Sequence, residues 1–180
     1  SPVLENNTLK SLSITYDFLF RINQGLINDF LKSTSLENLN LSVTGIGNDG
    51  ARIISDMLKN DDYNLKTLNL TFTNITHQGV IYLADALESK NKLESLNLSY
   101  NSLGNDGLNY LLGKLTSNNK LKEIDLSRFL VPPGGNPGDI LIDLDLDTVR
   151  NLASLLRENN TLNTLIFSKN LMNDEKAIIL

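Results

Sequence analysis

Leu93-Glu94-Ser95-Leu96-Asn97-Leu98-Ser99-Tyr100-Asn101-Ser102-Leu103 places leucine at its first, fourth, sixth and eleventh positions and asparagine at its ninth. The opening of this pattern returns from Leu9, Leu36, Leu65, Leu121 and Leu162, so that the six starts lie 27, 29, 28, 28 and 41 residues apart. A period held this closely marks a repeat architecture, in which one supersecondary unit recurs along the chain. Within the unit, Leu96 and Leu98 alternate with Ser95 and Asn97, the spacing of a short strand with one apolar face. Downstream, the sets Gly50, Ile54, Leu58, then Gly79, Leu83, Leu87, then Gly107, Leu111, Leu115 are spaced by four and share one side of a helix. Asn48 and Asp49, Asn105 and Asp106, and Asp147 stand where helix caps are expected. The glycines that follow the first two pairs permit close packing.

These units resemble the ribonuclease-inhibitor-like class of leucine-rich repeats. The resemblance implies an α/β right-handed solenoid, a horseshoe of about six repeats over residues 1–180, with a parallel sheet on the concave face and helices on the convex face. One unit cannot hide its own leucines, so neighbours must stack to share a core. Asparagine at the ninth position occurs only as Asn101 and Asn170, with Asp17, Thr44, Thr73 and Phe129 elsewhere, which predicts an incomplete side-chain ladder beneath the turns. Glu5-Asn6-Asn7-Thr8-Leu9 returns almost verbatim as Glu158-Asn159-Asn160-Thr161-Leu162, and neither end reads as a polar capping repeat. The expectation is therefore a single domain taken from a longer array or protein.

Because the leucines turn inward in this repeat class, the residues between them map the concave face. The third position reads Ser11, Asn38, Thr67 and Ser95, and the fifth Ser13, Asn40, Asn69 and Asn97; the seventh reads Thr15, Ser42, Thr71 and Ser99, and the eighth Tyr16, Val43, Phe72 and Tyr100. None is charged. Amides and hydroxyls both donate and accept, and an aromatic row beside them suits protein recognition; equally, the same groups serve simply to satisfy a strand surface and to pack between repeats. Charge enters at the fifth strand with Glu123, Asp125 and Arg128, and the sixth brings Ile166 and Lys169. The candidate partner-binding residues are Tyr16, Asn40, Asn69, Phe72, Asn97, Tyr100, Asp125, Arg128 and Phe129.

The long interval exceeds the 28-residue period by 13, and residues 128–147 read as an inserted loop that carries three of the four prolines. Proline and glycine at this density end regular structure. Such insertions often take part in binding, although a tolerated surface loop explains the segment as well. Within it, Asp143, Asp145 and Asp147 have the spacing that opens a calcium loop, but Thr148 and Ser154 stand where that loop needs glycine and glutamate. A short strand ending in a helix cap accounts for the run better.

The chemistry of catalysis is thin. The chain has no cysteine and one histidine, His77, expected at a helix start as a capping or exposed residue. Thiol catalysis, disulfides, triads and histidine metal clusters are thus out of reach, and no metal or cofactor is expected. Sixteen lysines and arginines against 21 acids leave a net charge of −5, which repels nucleic acid. No apolar run is long enough for a membrane span. Asn6, Asn40, Asn69, Asn74, Asn97 and Asn159 lie in glycosylation sequons, three of them on the mapped face, so an unglycosylated, cytoplasmic setting is the simpler expectation, with a bacterial effector delivered into host cytoplasm as a variant. The function expected is a monomeric, non-catalytic scaffold for a protein partner. The resemblance also extends to the leucine-rich domain of tropomodulins, which implies a cytoskeletal regulator, and to Ran GTPase-activating proteins, which implies assisted catalysis on a partner.

Overall fold

The computed structural model describes residues 8–15, 34–89, 91–127, 143–168 and 170. Each leucine motif forms a three-residue strand: β1 (Ser11–Ser13), β2 (Asn38–Asn40), β3 (Thr67–Asn69), β4 (Ser95–Asn97), β5 (Glu123–Asp125) and β6 (Thr164–Ile166). All six lie parallel in one sheet, in chain order. The register sets like on like, running Leu12, Leu39, Leu68, Leu96, Ile124 and Leu165 across the sheet. A slip by one residue would turn every leucine to the wrong face, which is why burial fixes this pairing.

Four helices among the described residues complete the units: α1 (Gly47–Leu58), α2 (His77–Leu87), α3 (Gly104–Ser117) and α4 (Leu146–Glu158). Each packs against the next in sequence order. Their spaced apolar residues Ile54, Leu83, Leu111 and Leu155 meet the strand leucines in one continuous core. Leu68, Leu96 and Ile124 are at most 2% exposed, whereas Leu9, Leu12 and Ile14 at one end and Leu162, Leu165 and Phe167 at the other are only partly buried. The cause is neighbour number: interior units are covered on both sides, and a fully buried leucine is worth about 1.5–3 kcal/mol over an exposed one.

Close helix packing depends on two of the glycines. A Cβ on Gly79 would lie 2.5 Å from Asn48 Oδ1, and one on Gly107 would lie 2.8 Å from Val80 Cγ1 and 3.0 Å from His77 Cα. The helix caps differ from the expected ones. Ile46 and Leu103 occupy the cap positions of α1 and α3 and make no side-chain cap, while Asp145 rather than Asp147 caps α4, its Oδ1 accepting from Thr148 N at 2.7 Å. Asp147 lies one residue inside the helix and pairs with Arg150 at 3.0 Å.

Asn48 and Asn105 instead act on the following unit. Asn48 Oδ1 accepts from Thr76 N at 2.9 Å and Gly79 N at 3.0 Å, which caps α2 from the previous helix. Asn105 Oδ1 accepts from Asp145 N at 3.3 Å and Thr148 Oγ1 at 3.1 Å, and its Nδ2 donates to Asp143 O at 3.0 Å.

The ninth-position ladder is more nearly continuous than its mixed residues suggest. Asn101 is buried and bridges two units: its Oδ1 accepts from Thr73 N and Ile75 N, and its Nδ2 donates to Leu70 O at 2.7 Å and Leu98 O at 2.9 Å. Thr44 and Thr73 satisfy the sixth-position carbonyl of their own unit, Leu41 O at 2.5 Å and Leu70 O at 2.8 Å. A threonine hydroxyl thus replaces half of the asparagine, the half that acts within the repeat. Of the inserted loop, residues 128–142 lie outside the described residues, as does most of the short strand expected before α4.

Candidate functional site

Opposite the helices, the sheet bears a groove of about 420 Å3 that crosses β1 to β5. Its walls are the third- and fifth-position side chains, from Ser11 and Ser13 through Asn38, Asn40, Thr67, Asn69, Ser95 and Asn97 to Glu123 and Asp125. Of the four rows mapped from the sequence, the third and fifth line this groove, and the seventh and eighth do not. The third-position groups bond to one another, with Asn38 Nδ2 donating to Ser11 Oγ at 3.0 Å and Thr67 Oγ1 to Asn38 Oδ1 at 2.5 Å.

The fifth-position residues have a second task that the sequence map did not foresee. Asn40, Asn69 and Asn97 each turn Oδ1 onto the backbone N–H two residues ahead, at 3.0, 2.9 and 2.9 Å, and Asp125 does the same to Ser127 at 2.9 Å. These side chains fix the turn that ends each strand. In Asn40 and Asn69 the amide oxygen is engaged by the chain, and the amide nitrogen faces outward. Asn97 Nδ2 donates across the repeat to Asp125 Oδ2 at 3.1 Å.

The eighth-position row lies just beyond. Val43, Phe72 and Tyr100 are half-buried, and all three adopt left-handed backbone, with φ of 60, 53 and 60°. Their N–H groups donate to the seventh-position carbonyls of the next unit, Thr71, Ser99 and Ser127, at 2.8, 3.0 and 3.1 Å. The interstrand ladder thus continues past the strand ends, and that continuation holds the unusual conformation in place.

A charged row at the second position was overlooked in the sequence, although it is legible there: Lys10, Glu37, Lys66, Glu94 and Lys122 alternate in sign from one unit to the next. Lys10 and Lys66 each reach Glu37 at 2.8 Å, and Lys122 reaches Glu94 at 2.9 Å. Hydrogen bonds from Lys10 and Lys66 lower the Glu37 carboxyl to about 2. Along this edge of the groove the lysines are occupied by neighbouring acids.

Of the predicted site residues, Asn40, Asn69, Asn97 and Asp125 line the groove, while Phe72 and Tyr100 occupy the turns next to it. Tyr16, Arg128 and Phe129 lie outside the described residues. His77 is the exposed first residue of α2, far in role from any reactive cluster. Among the described residues no group of three His, Asp or Glu is placed to hold a metal, and no helix is long and apolar enough to cross a membrane.

Residues 32–55, 64–84 and 89–112 match the family model described as Leucine Rich repeat. With six in-register strand motifs around them, the chain is a leucine-rich repeat protein, and its 28-residue period places it in the ribonuclease-inhibitor-like subtype. Over 88 residues it is 39% identical to Centrosomal protein of 78 kDa from Mus musculus, a match covering 49% of this chain and 10% of that protein. The chain thus spans only about a tenth of this relative. In fold it is similar to Leiomodin-1 Actin-Binding Site 2, with a TM-score of 0.60 at 18% identity over 97% of this chain and 78% of that one. It is also similar to the tropomodulin C-terminal domain of Caenorhabditis elegans, with a TM-score of 0.50 at 17% identity over 97% of this chain and 81% of that one. Leucine-rich repeat domains typically serve as protein-binding scaffolds.

Proposed function

We propose that this domain is a non-catalytic scaffold that receives a protein partner on the open face of its sheet. The observation that carries the reading is the groove itself, a trough across five strands lined by amide, hydroxyl and carboxylate side chains over the strand leucines, with no lysine, arginine or histidine. Asn40, Asn69, Asn97 and Asp125 form its floor, Phe72 and Tyr100 flank it as aromatic anchors, and Tyr16, Arg128, Phe129 and the loop at 128–147 belong to the same proposed surface. Stacked leucines make that floor rigid, so little ordering entropy is lost on binding.

The cytoplasmic setting is part of the reading. Asn159 donates Nδ2 to Leu115 O at 2.7 Å and to Asn118 O at 2.9 Å, which uses both amide hydrogens, and a glycan would remove one. A filament-regulating role rests on fold likeness alone and is tested by co-sedimentation with actin.

Thr67 lies exposed at the centre of the groove, and Tyr82 is exposed on α2. Pull-down with the parent, Thr67→Arg and Tyr82→Arg proteins tests the assignment of the face. Partners recovered by the parent and by Tyr82→Arg are expected to be lost at least tenfold with Thr67→Arg, at unchanged melting temperature. Equal recovery by Thr67→Arg would remove the groove from the reading.

A further inference from the structure

The groove differs in polarity from one end to the other. Because Asn40 and Asn69 commit Oδ1 to their own turns, what they offer outward is Nδ2, and among the described residues nothing accepts from either amide nitrogen. Over β2 and β3 the floor therefore presents donors. At β5 it presents the reverse: the exposed Glu123 carboxylate makes no hydrogen bond or ion pair among the described residues, and Asp125 accepts from Asn97 and Ser127 beside it. The adjacent Lys122 does not answer this charge, since it is held by Glu94 at 2.9 Å. A trough with hydrogen donors at its centre and negative charge at one end is complementary to one kind of occupant.

We infer that the groove takes an extended peptide segment that crosses the strands, uncharged over β2 and β3 and bearing a lysine or arginine at β5. Carbonyl oxygens of the segment accept from the Asn40 and Asn69 amides, and the cation lies against Glu123 and Asp125. Strands are spaced by about 4.8 Å, so β2 to β5 is about 14 Å, or about four residues of extended chain. The basic residue thus lies about four residues from the one over β2, on either side of it in sequence. The inference rests on the open face being the binding face, and it adds the chemistry of what binds there.

Display of random dodecapeptides on the immobilised domain supplies the probe. Selected peptides are expected to carry a lysine or arginine next to an uncharged run. Their affinity is expected to fall at least tenfold on the Glu123→Gln/Asp125→Asn variant, which keeps the side-chain oxygen needed by Ser127 and so keeps the fold. Replacing the peptide's cation by glutamine is expected to cost the same factor on the parent and nothing more on the double variant. Peptides that lose affinity on Thr67→Arg but contain no cation, or that ignore the double substitution, overturn this inference and leave the binding face standing. A selection that enriches nothing, or only peptides indifferent to Thr67→Arg, overturns both.

Discussion

Val43 is a β-branched residue at φ 60°, where the side chain crowds the backbone and L-residues other than glycine, asparagine and aspartate are seldom found. It stays there because its N–H is held by Thr71 O at 2.8 Å, while Thr44 Oγ1, one residue on, bonds to Leu41 O. The strain is of order 1–2 kcal/mol. Asparagine tolerates this conformation, as Asn74 does at φ 62° in the same protein. Val43→Asn is therefore expected to stabilise the domain by about 0.5–1 kcal/mol, seen as a rise of about 2 °C in the thermal midpoint. A fall in the midpoint would mean that packing of the half-buried valine outweighs backbone relief. Nothing in the sequence marked this position, because valine, phenylalanine and tyrosine are not the residues by which a left-handed turn is usually recognised.

At the scale of elements, the strands were legible and the helix caps were not. Alternation of leucine with small polar groups defines a strand from within the strand itself, and so β1 to β6 appear where the motif predicts. A cap is different, because the donor that it satisfies can belong to another unit. Asn48 reads as the start of its own helix, yet it closes the start of α2 through Thr76 N and Gly79 N. The fifth-position turns were hidden for a different reason: Asn40 and Asn69 face the groove with one end of the amide and serve the N–H two residues ahead with the other, and the alternation of the strand reveals only the first. Removing the carboxamide in Asn48→Ala is expected to cost about 0.5–2 kcal/mol, as loss of a cap does. The site of the loss is the telling measurement. Hydrogen exchange should quicken at the Gly79 amide while the amides in the middle of α1 keep their protection; faster exchange throughout α1 instead would return Asn48 to its own helix.

For the whole molecule, the decisive quantity is how far a local loss travels. Each unit touches only its neighbours, so stability is a sum of unit terms and interface terms, and the interior leucines contribute to both. Leu96 in β4 is 1% exposed, enclosed between Leu68 and Ile124, whereas Leu12 in the edge strand β1 is only partly buried. Cutting Leu96 to alanine leaves a cavity that neither neighbouring unit can fill and is expected to cost about 2–5 kcal/mol. Leu12→Ala removes the same atoms where water already reaches, and its cost should lie below that range. Urea unfolding followed by far-UV circular dichroism separates the cases. Leu96→Ala should shift one cooperative transition to lower denaturant, because uncoupling the fourth unit strips an interface from each side of it, and the Leu12→Ala transition should lie between that of Leu96→Ala and that of the parent. If Leu12→Ala proves as costly as Leu96→Ala, or if Leu96→Ala unfolds like the parent, the stack is not held by shared burial, and a groove floor that depends on that burial for its rigidity loses its physical basis.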